Sequence, residues 1–90
     1  MLKAGKAGGQ QLAEAPTPEQ SARKILSILR AEGLRANQGA ELSSIQMKFL
    51  SDGGSNAEMQ EGLVYAGQKN WIAEGDPRFI LLTDDGFGET

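Results

Sequence analysis

Two amino acids that carry much of protein chemistry are missing from this chain: its 90 residues include no cysteine and no histidine. Without cysteine the chain can form no disulfide, no thiolate nucleophile and no thiolate metal site. Without histidine it lacks the commonest general base and the commonest metal ligand. The adjacent acids Asp84 and Asp85 point apart, and the glycine pairs at 8–9 and 53–54 lack the lysine of a phosphate-binding loop. We therefore predict no catalytic residue, no metal site, no cofactor and no enzymatic activity.

Long apolar segments are missing as well. No stretch approaches the ~20 apolar residues that span a bilayer, and no signal-peptide core follows Met1-Leu2-Lys3. The sequence therefore predicts a cytoplasmic protein with no membrane partner. Its length is enough for one small domain with a single core of about a dozen large apolar side chains.

Positive charge is scarce where a nucleic-acid-binding protein would need it. Residues 1–40 hold six lysines and arginines against three acids, for a charge of +3, whereas residues 41–90 hold three against nine acids, for −6. Phosphate contacts from lysine and arginine supply most of the non-specific affinity for nucleic acid. The acidic second half therefore weakens the electrostatic argument for DNA binding.

Capping signals indicate where the helices begin and end. Residues 1–16 are rich in Gly, Ala, Gln and Lys and cannot bury enough apolar surface to offset their ordering entropy, so they predict a disordered tail. Thr17-Pro18-Glu19-Gln20 combines the cap, proline and capping-box residues of a helix start. Apolar residues then recur at helical spacing as far as Leu29, and Gly33 is placed to end the helix. A short strand at Ala40-Glu41-Leu42 is expected next.

Two more helices are predicted, separated by a glycine turn at 52–54. The segment Ser43–Gln46 offers a capping box for the second helix, which could equally begin at Glu41 or Leu42. The segment Ser55–Glu58 offers a box for the third helix within four residues of the end of the second. Two helices with so short a connection are typical of a helix-turn-helix unit.

The third helix is followed by an apolar β-hairpin. Asn70 can end the helix in a left-handed conformation, and Trp71-Ile72 opens a strand. Gly75-Asp76-Pro77-Arg78 predicts the hairpin turn, Phe79–Thr83 alternates as the returning strand, and Thr83–Gly86 predicts a tight turn or a single helical turn. Eight apolar side chains are expected to be largely buried: Ile25, Leu29, Ile45, Phe49, Leu63, Trp71, Ile72 and Leu81.

The order of elements resembles the winged helix-turn-helix family. The resemblance is carried by Leu63, Ala66, Asn70-Trp71-Ile72 and Leu82-Thr83-Asp84-Asp85-Gly86-Phe87. These residues look like a recognition helix ending in a turn residue, an apolar strand start, and a wing that closes on Leu-Thr-x-x-Gly. The resemblance implies a mainly α, α+β domain over residues 17–87, with three helices and a short two- or three-stranded antiparallel wing. Residues 88–90 are expected to fray.

The same resemblance implies a binding surface on the third helix. Most domains of the family bind duplex DNA with this helix in the major groove and the wing on the backbone, while others bind proteins. Here the third helix contains no arginine, the side chain that most often reads guanine, and Glu58 and Glu61 would repel phosphates. The candidates for nucleic-acid contacts are polar residues of the second helix, the third helix and the wing: Lys48, Ser55, Asn56, Gln60, Tyr65, Gln68, Lys69 and Arg78.

Two functional hypotheses follow. The resemblance implies a DNA-binding module in transcription regulation, whereas the acidic second half favours a protein–protein interaction module that does not bind DNA. Because few cations can reach phosphates, DNA binding by the isolated monomer should be weak, with log affinity falling against log salt at a slope of roughly 3–4. A DNA-binding form would then work as a homodimer or with a more basic protein partner.

Overall fold

The computed structural model of the chain describes residues 16–73 and 78–90. Residues 1–15 of the predicted tail and residues 75–77 of the predicted turn at 75–78 lie outside the described residues. The described residues form α1 (Pro18–Ala31), β1 (Gln38–Glu41), α2 (Leu42–Ser51), α3 (Asn56–Gln68), β2 (Ile72–Ala73), β3 (Phe79–Leu82) and α4 (Asp84–Gly88). This is a small α+β fold with an antiparallel sheet, as predicted. The helix α4 adds a fourth helix where the sequence allowed a single helical turn.

Capping boxes begin α1 and α3 as predicted. Thr17 Oγ1 accepts a hydrogen bond from the Gln20 amide at 3.1 Å, and Gln20 Oε1 accepts one from the Thr17 amide at 2.8 Å. Ser55 and Glu58 exchange the same two bonds, each at 3.1 Å. Each box satisfies two backbone donors at the start of its helix, so both helices begin where the sequence indicates.

The capping box predicted for α2 does not form. The helix begins at Leu42, and the side chain of Glu41 makes no capping hydrogen bond. The Leu42 amide instead donates to the Arg78 carbonyl at 2.7 Å, which continues the pairing of β1 with β3. Because the sheet satisfies this amide, α2 starts at Leu42, one of the two alternative starts that the sequence left open, and not at the predicted box. Gln46 Nε2 is then free to donate to Asn56 Oδ1 at 2.8 Å.

Left-handed residues end α1 and α3. Gly33 follows α1 with φ of +89°, and Asn70 follows α3 with φ of +62°. The Trp71 amide then donates to the Ala66 carbonyl at 2.8 Å, as in the usual left-handed helix terminus. Glycine and asparagine reach this conformation at least cost, which is why both helix ends could be predicted.

The three strands form one sheet in the order β1-β3-β2. Along β3, Ile80 and Leu82 face the core, with 1% and 0% of their surface exposed. Phe79 and Leu81 face outward, with 44% and 37% exposed. The prediction that Leu81 is buried is therefore wrong. All four residues of β3 are apolar. Successive strand residues point to opposite faces of the sheet, but the sequence does not indicate which of the two faces is turned toward the core.

The core lies between α1, α2, α3 and the inner face of the sheet, and α1 packs most extensively on α3. Leu63, predicted to be buried, lies only half-buried at the edge of this core. The centre of the contact with α1 is taken by Gly62, where a Cβ atom would lie 2.9 Å from the Ala22 nitrogen. Helix geometry therefore turns Leu63 toward α2. The other six predicted core residues are buried: Ile25, Leu29, Ile45, Phe49, Trp71 and Ile72.

Candidate functional site

The outer face of α3 is the surface that a recognition helix would present to its partner. Met59, Gly62 and Ala66 are buried against the core. Because successive residues turn by about 100°, the opposite side of the helix carries five others. These residues, which define the α3 outer face, are all exposed: Ala57, Gln60, Glu61, Val64 and Gln68. The α3 outer face thus has one acid and no base, and it leaves Val64 57% exposed.

An open cavity of about 380 Å³, here called the α3 groove, lies along this face. Its lining residues are Pro18, Gln60, Glu61, Val64, Tyr65 and Gln68. Tyr65 is half-buried, and its ring meets the Trp71 ring edge-on with 5.5 Å between the centroids. This contact holds the Tyr65 side chain against the domain. The α3 groove therefore offers an apolar surface with Glu61 as its only charged lining residue.

Arg23 on α1 is bound by acids of its own chain. Its Nε atom lies 3.1 Å from Glu19 Oε2, and its Nη2 atom lies 3.0 Å from Glu89 Oε1. The hydrogen bonds to Glu19 and Glu89 raise the pKa of the Arg23 guanidinium above its ordinary value. The guanidinium carbon also lies 4.9 Å from the centroid of the Trp71 ring. Arg23 thus ties the end of the chain to α1 rather than standing apart as a phosphate contact.

Lys48, a predicted phosphate contact, is paired in the same way. Its Nζ atom lies 3.0 Å from Glu32 Oε2, just beyond the end of α1. Lys24 donates to the Asp52 carbonyl at 3.0 Å, and Arg30 donates to a backbone carbonyl at 3.0 Å. Exposed ion pairs are worth only about 0–1 kcal/mol, so phosphate could displace them. Each displaced carboxylate would nevertheless remain nearby and repel the phosphate.

The two other predicted cations, Lys69 and Arg78, lie among different neighbours. Lys69 Nζ lies 5.7 Å from the centroid of the Tyr65 ring, at the end of the α3 groove. Arg78 is exposed, interacts within its own chain, and lines a separate cavity of about 330 Å³ beside the start of α2. Within the described residues, Lys48, Lys69 and Arg78 therefore lie among separate sets of neighbours, and none of them lines the α3 groove.

The polar candidates divide into two groups. Ser55 caps α3, and Asn56 accepts the hydrogen bond from Gln46 that joins α2 to α3. Both side chains thus have structural roles. Gln60 and Gln68 are exposed and make no side-chain hydrogen bond with the described residues. These two amides are therefore among the polar groups of the predicted site that remain available to a partner.

Three residues of the α3 groove were not predicted as site residues. Pro18 was predicted only as a helix-start residue, Glu61 only as an acid that would repel phosphates, and Val64 was not among the candidates. Pro18 reaches the groove because α1 crosses α3 at Gly62, with the Ser21 Cβ atom 2.9 Å from where a Gly62 Cβ atom would stand. A glycine inside a helix indicates close packing, but it does not name the helix that packs there.

Comparison with known proteins leaves the function to be argued from these surfaces. The chain matches no protein-family model, no curated protein sequence and no solved structure. Within residues 16–73 and 78–90, no helix has the length and apolar character that crossing a membrane requires. The same residues bring together no group of three or more acids that could hold a metal ion.

Proposed function

We propose that this chain is a non-enzymatic winged-helix domain that binds another protein through the α3 groove. The winged-helix assignment is supported by the order helix, strand, helix, turn, helix, hairpin and by a sheet in which β3 lies between β1 and β2. The observation that carries the binding proposal is Val64, an aliphatic side chain left 57% exposed in an apolar groove.

The chemistry of the α3 groove fits a protein better than it fits DNA. Burying a valine side chain contributes about 1.5–3 kcal/mol, and an apolar protein side chain can supply that contact. The major groove offers an aliphatic side chain little beyond the thymine methyl group. Glu61, which lines the α3 groove, would in addition face the phosphates of DNA, and no cation of the α3 outer face offsets its negative charge.

Duplex DNA is the second candidate partner, and a specific observation favours it. Gln60 and Gln68 present amides that make no hydrogen bond with the described residues, and a glutamine amide can pair with adenine. Lys69 and Arg78 would contact the backbone. Because so few phosphates are neutralised in this arrangement, its affinity should be micromolar or weaker near physiological salt, roughly as for non-specific binding.

Site-specific photo-crosslinking in cells that carry the gene distinguishes the two partners. A benzophenone amino acid replaces Val64 in the full chain, and the matched control replaces Met47, which is 69% exposed on α2. We expect more adducts from position 64 than from position 47, and we expect protease but not nuclease to remove them. Nuclease-sensitive adducts at position 64, or no excess over position 47, would overturn the proposal.

Binding to DNA can be measured independently by fluorescence anisotropy. We expect the full chain to bind random-sequence duplex no more tightly than about micromolar at roughly 0.15 M salt, because its cations are few and mostly paired. Substitution of Lys69 and Arg78 by glutamine tests the source of any tighter binding. Submicromolar affinity that these substitutions weaken, while Val64→Ala leaves it unchanged, would make DNA the preferred partner.

A further inference from the structure

We infer that Arg23 is a positioning residue of the α3 groove, and that Glu89, the residue after α4, regulates the groove through it. Arg23 itself is not one of the residues that line the groove. It contacts the ring of Trp71, which in turn contacts Tyr65, a lining residue. The inference rests on the proposed protein-binding role of the groove and names how that same site is regulated.

Trp71 is the link between Arg23 and the groove. Its amide donates to the Ala66 carbonyl at 2.8 Å, and its carbonyl accepts a hydrogen bond from the Thr83 amide at 3.1 Å, so its backbone is fixed. The Arg23 guanidinium carbon lies 4.9 Å from the centroid of its ring, and the Tyr65 centroid lies 5.5 Å away. Trp71 is only 6% exposed. Because the interior is close-packed, a shift of this ring must be matched by a shift of Tyr65.

Two carboxylates hold the Arg23 guanidinium over this ring. Its Nε atom pairs with Glu19 at 3.1 Å, and its Nη2 atom pairs with Glu89 at 3.0 Å. A flat guanidinium donates from its edge and can face an aromatic ring at the same time. Two carboxylates on different nitrogen atoms restrict its rotation as well as its position. Without Glu89 one pair remains, and the guanidinium is free to turn away from Trp71.

Glu89 connects α4 to these contacts. The helix α4 begins at a cap in which Thr83 Oγ1 accepts a hydrogen bond from the Gly86 amide at 3.0 Å. The Phe87 ring of α4 lies 4.6 Å from the guanidinium carbon of Arg30 on α1. The segment is therefore attached to α1 at two arginines, and the attachment at Arg23 continues to Trp71 and the groove.

The contact between Glu89 and Arg23 is suited to regulation because it lies in solvent. The side chains of Arg23 and Glu89 keep 46% and 40% of their surface exposed. Exposed ion pairs are weak and are screened by salt. The pair can therefore open without unfolding the domain, and its opening releases the guanidinium that positions the Trp71 ring.

The single tyrosine of the chain makes a direct test possible. Fluorotyrosine incorporated in the full chain gives one fluorine resonance, which reports on position 65 and on the neighbouring Trp71 ring. Arg23→Gln should shift this resonance, and Glu89→Gln should shift it in the same direction by a smaller amount. Added salt should shift the unmodified chain toward the Glu89→Gln position. A purely stabilising role of Arg23 would lower the free energy of unfolding without moving the resonance of the folded chain.

Glu32→Gln is the matched control. It breaks another exposed ion pair, in which Lys48 Nζ lies 3.0 Å from Glu32, and it should leave the resonance unchanged. In the Arg23→Gln background, Glu89→Gln should cause no further shift, because Glu89 acts through Arg23. The three substituted side chains are exposed, so each variant should fold. An unmoved resonance in Arg23→Gln, an equal shift in Glu32→Gln, or a full second shift in the double variant would overturn the inference.

The crosslinking experiment connects this coupling to the groove and separates the two proposals. In the Arg23→Gln background, adducts from position 64 should fall by about two- to tenfold, while those from position 47 should not change. A shifted resonance with undiminished adducts would overturn the regulatory role of Arg23. A shifted resonance, but no excess of adducts from position 64 in the unmodified chain, would overturn the protein-binding proposal and leave the coupling of Arg23 to Tyr65 standing. Protein adducts from position 64 with an unmoved resonance would overturn the coupling alone.

Discussion

The two sides of α3 show how differently packing and function constrain one helix. On the inner side, Gly62 and Ala66 are buried. At Gly62, α1 lies so close that only the hydrogen atom of a glycine fits at the crossing. On the outer side, Val64 leaves 57% of its surface in solvent. The size of each inner residue is thus dictated by the fold. The outer residues are under no such constraint, and the exposed Val64 in the α3 groove is the observation on which the proposal of a protein partner rests.

Among the substitutions that compare the two sides of α3, Met59→Ala should lower the stability of the domain most. Met59 is 3% exposed, and loss of a buried methionine side chain costs about 2–5 kcal/mol. Val64→Ala, on the outer side, should change the stability of the monomer by less than about 0.5 kcal/mol. Urea unfolding followed by the fluorescence of Trp71, the single tryptophan, measures both. Equal losses in the two variants would mean that the outer side is packed after all.

Gly62→Ala comes next, and Gly67→Ala is its matched control within the same helix. Inside a helix, alanine stabilises the folded state by up to about 1 kcal/mol relative to glycine. At Gly62 the added Cβ atom would lie 2.9 Å from backbone atoms of Ser21 and Ala22, so a net loss of about 1–3 kcal/mol is expected. At Gly67 a Cβ atom meets nothing within 4 Å, so a gain of about 0.5–1 kcal/mol is expected. A gain in both variants would contradict the close crossing.

Leu63→Ala should cost less than a core substitution because Leu63 lies at the boundary between the two sides. It is half-buried and lines a cavity of about 130 Å³ between α2 and α3. We expect a loss of about 1–2 kcal/mol, or roughly half of that for a buried leucine, and a drop in Tm of several degrees for so small a domain. A loss of stability as large as that caused by Met59→Ala would show that Leu63 is a core residue.

The parts of the fold that could be predicted are those determined by neighbouring residues in sequence. The capping boxes at Thr17 and Ser55 and the left-handed Asn70 depend on a few adjacent groups. The inner face of β3 could not be predicted in this way, and for the start of α2 the sequence left a capping box at Ser43 and starts at Glu41 or Leu42 as alternatives. Both features depend on contacts between residues distant in sequence, such as the pairing of β1 with β3.

The candidate site was predictable to a similar extent. The lack of arginine in α3 is a property of the sequence, and it already separated this helix from a usual DNA reader. The α3 groove was not predictable, because Pro18 joins it only through the packing of α1 on α3. The pairing of cations was also hidden, since Arg23 reaches Glu89 and Lys48 reaches Glu32 across the fold.

Ser21→Ala should change the stability of the domain least, and it tests how closely α1 packs on the inner side of α3. Ser21 is 1% exposed, and its Oγ atom has no hydrogen-bond partner among the described residues. A buried hydroxyl without a partner is costly, so its removal should leave stability unchanged or raise it by up to about 1 kcal/mol.

Ser27→Ala is the control, because Ser27 is exposed on the same helix and reports the helix propensity of alanine alone. The gain from Ser21→Ala beyond that of Ser27→Ala isolates the cost of the unpaired hydroxyl at the crossing. If Ser21→Ala is instead the less stable variant by more than about 1 kcal/mol, the hydroxyl has a hydrogen-bond partner, and α1 and α3 are held together by more than the fit of small residues.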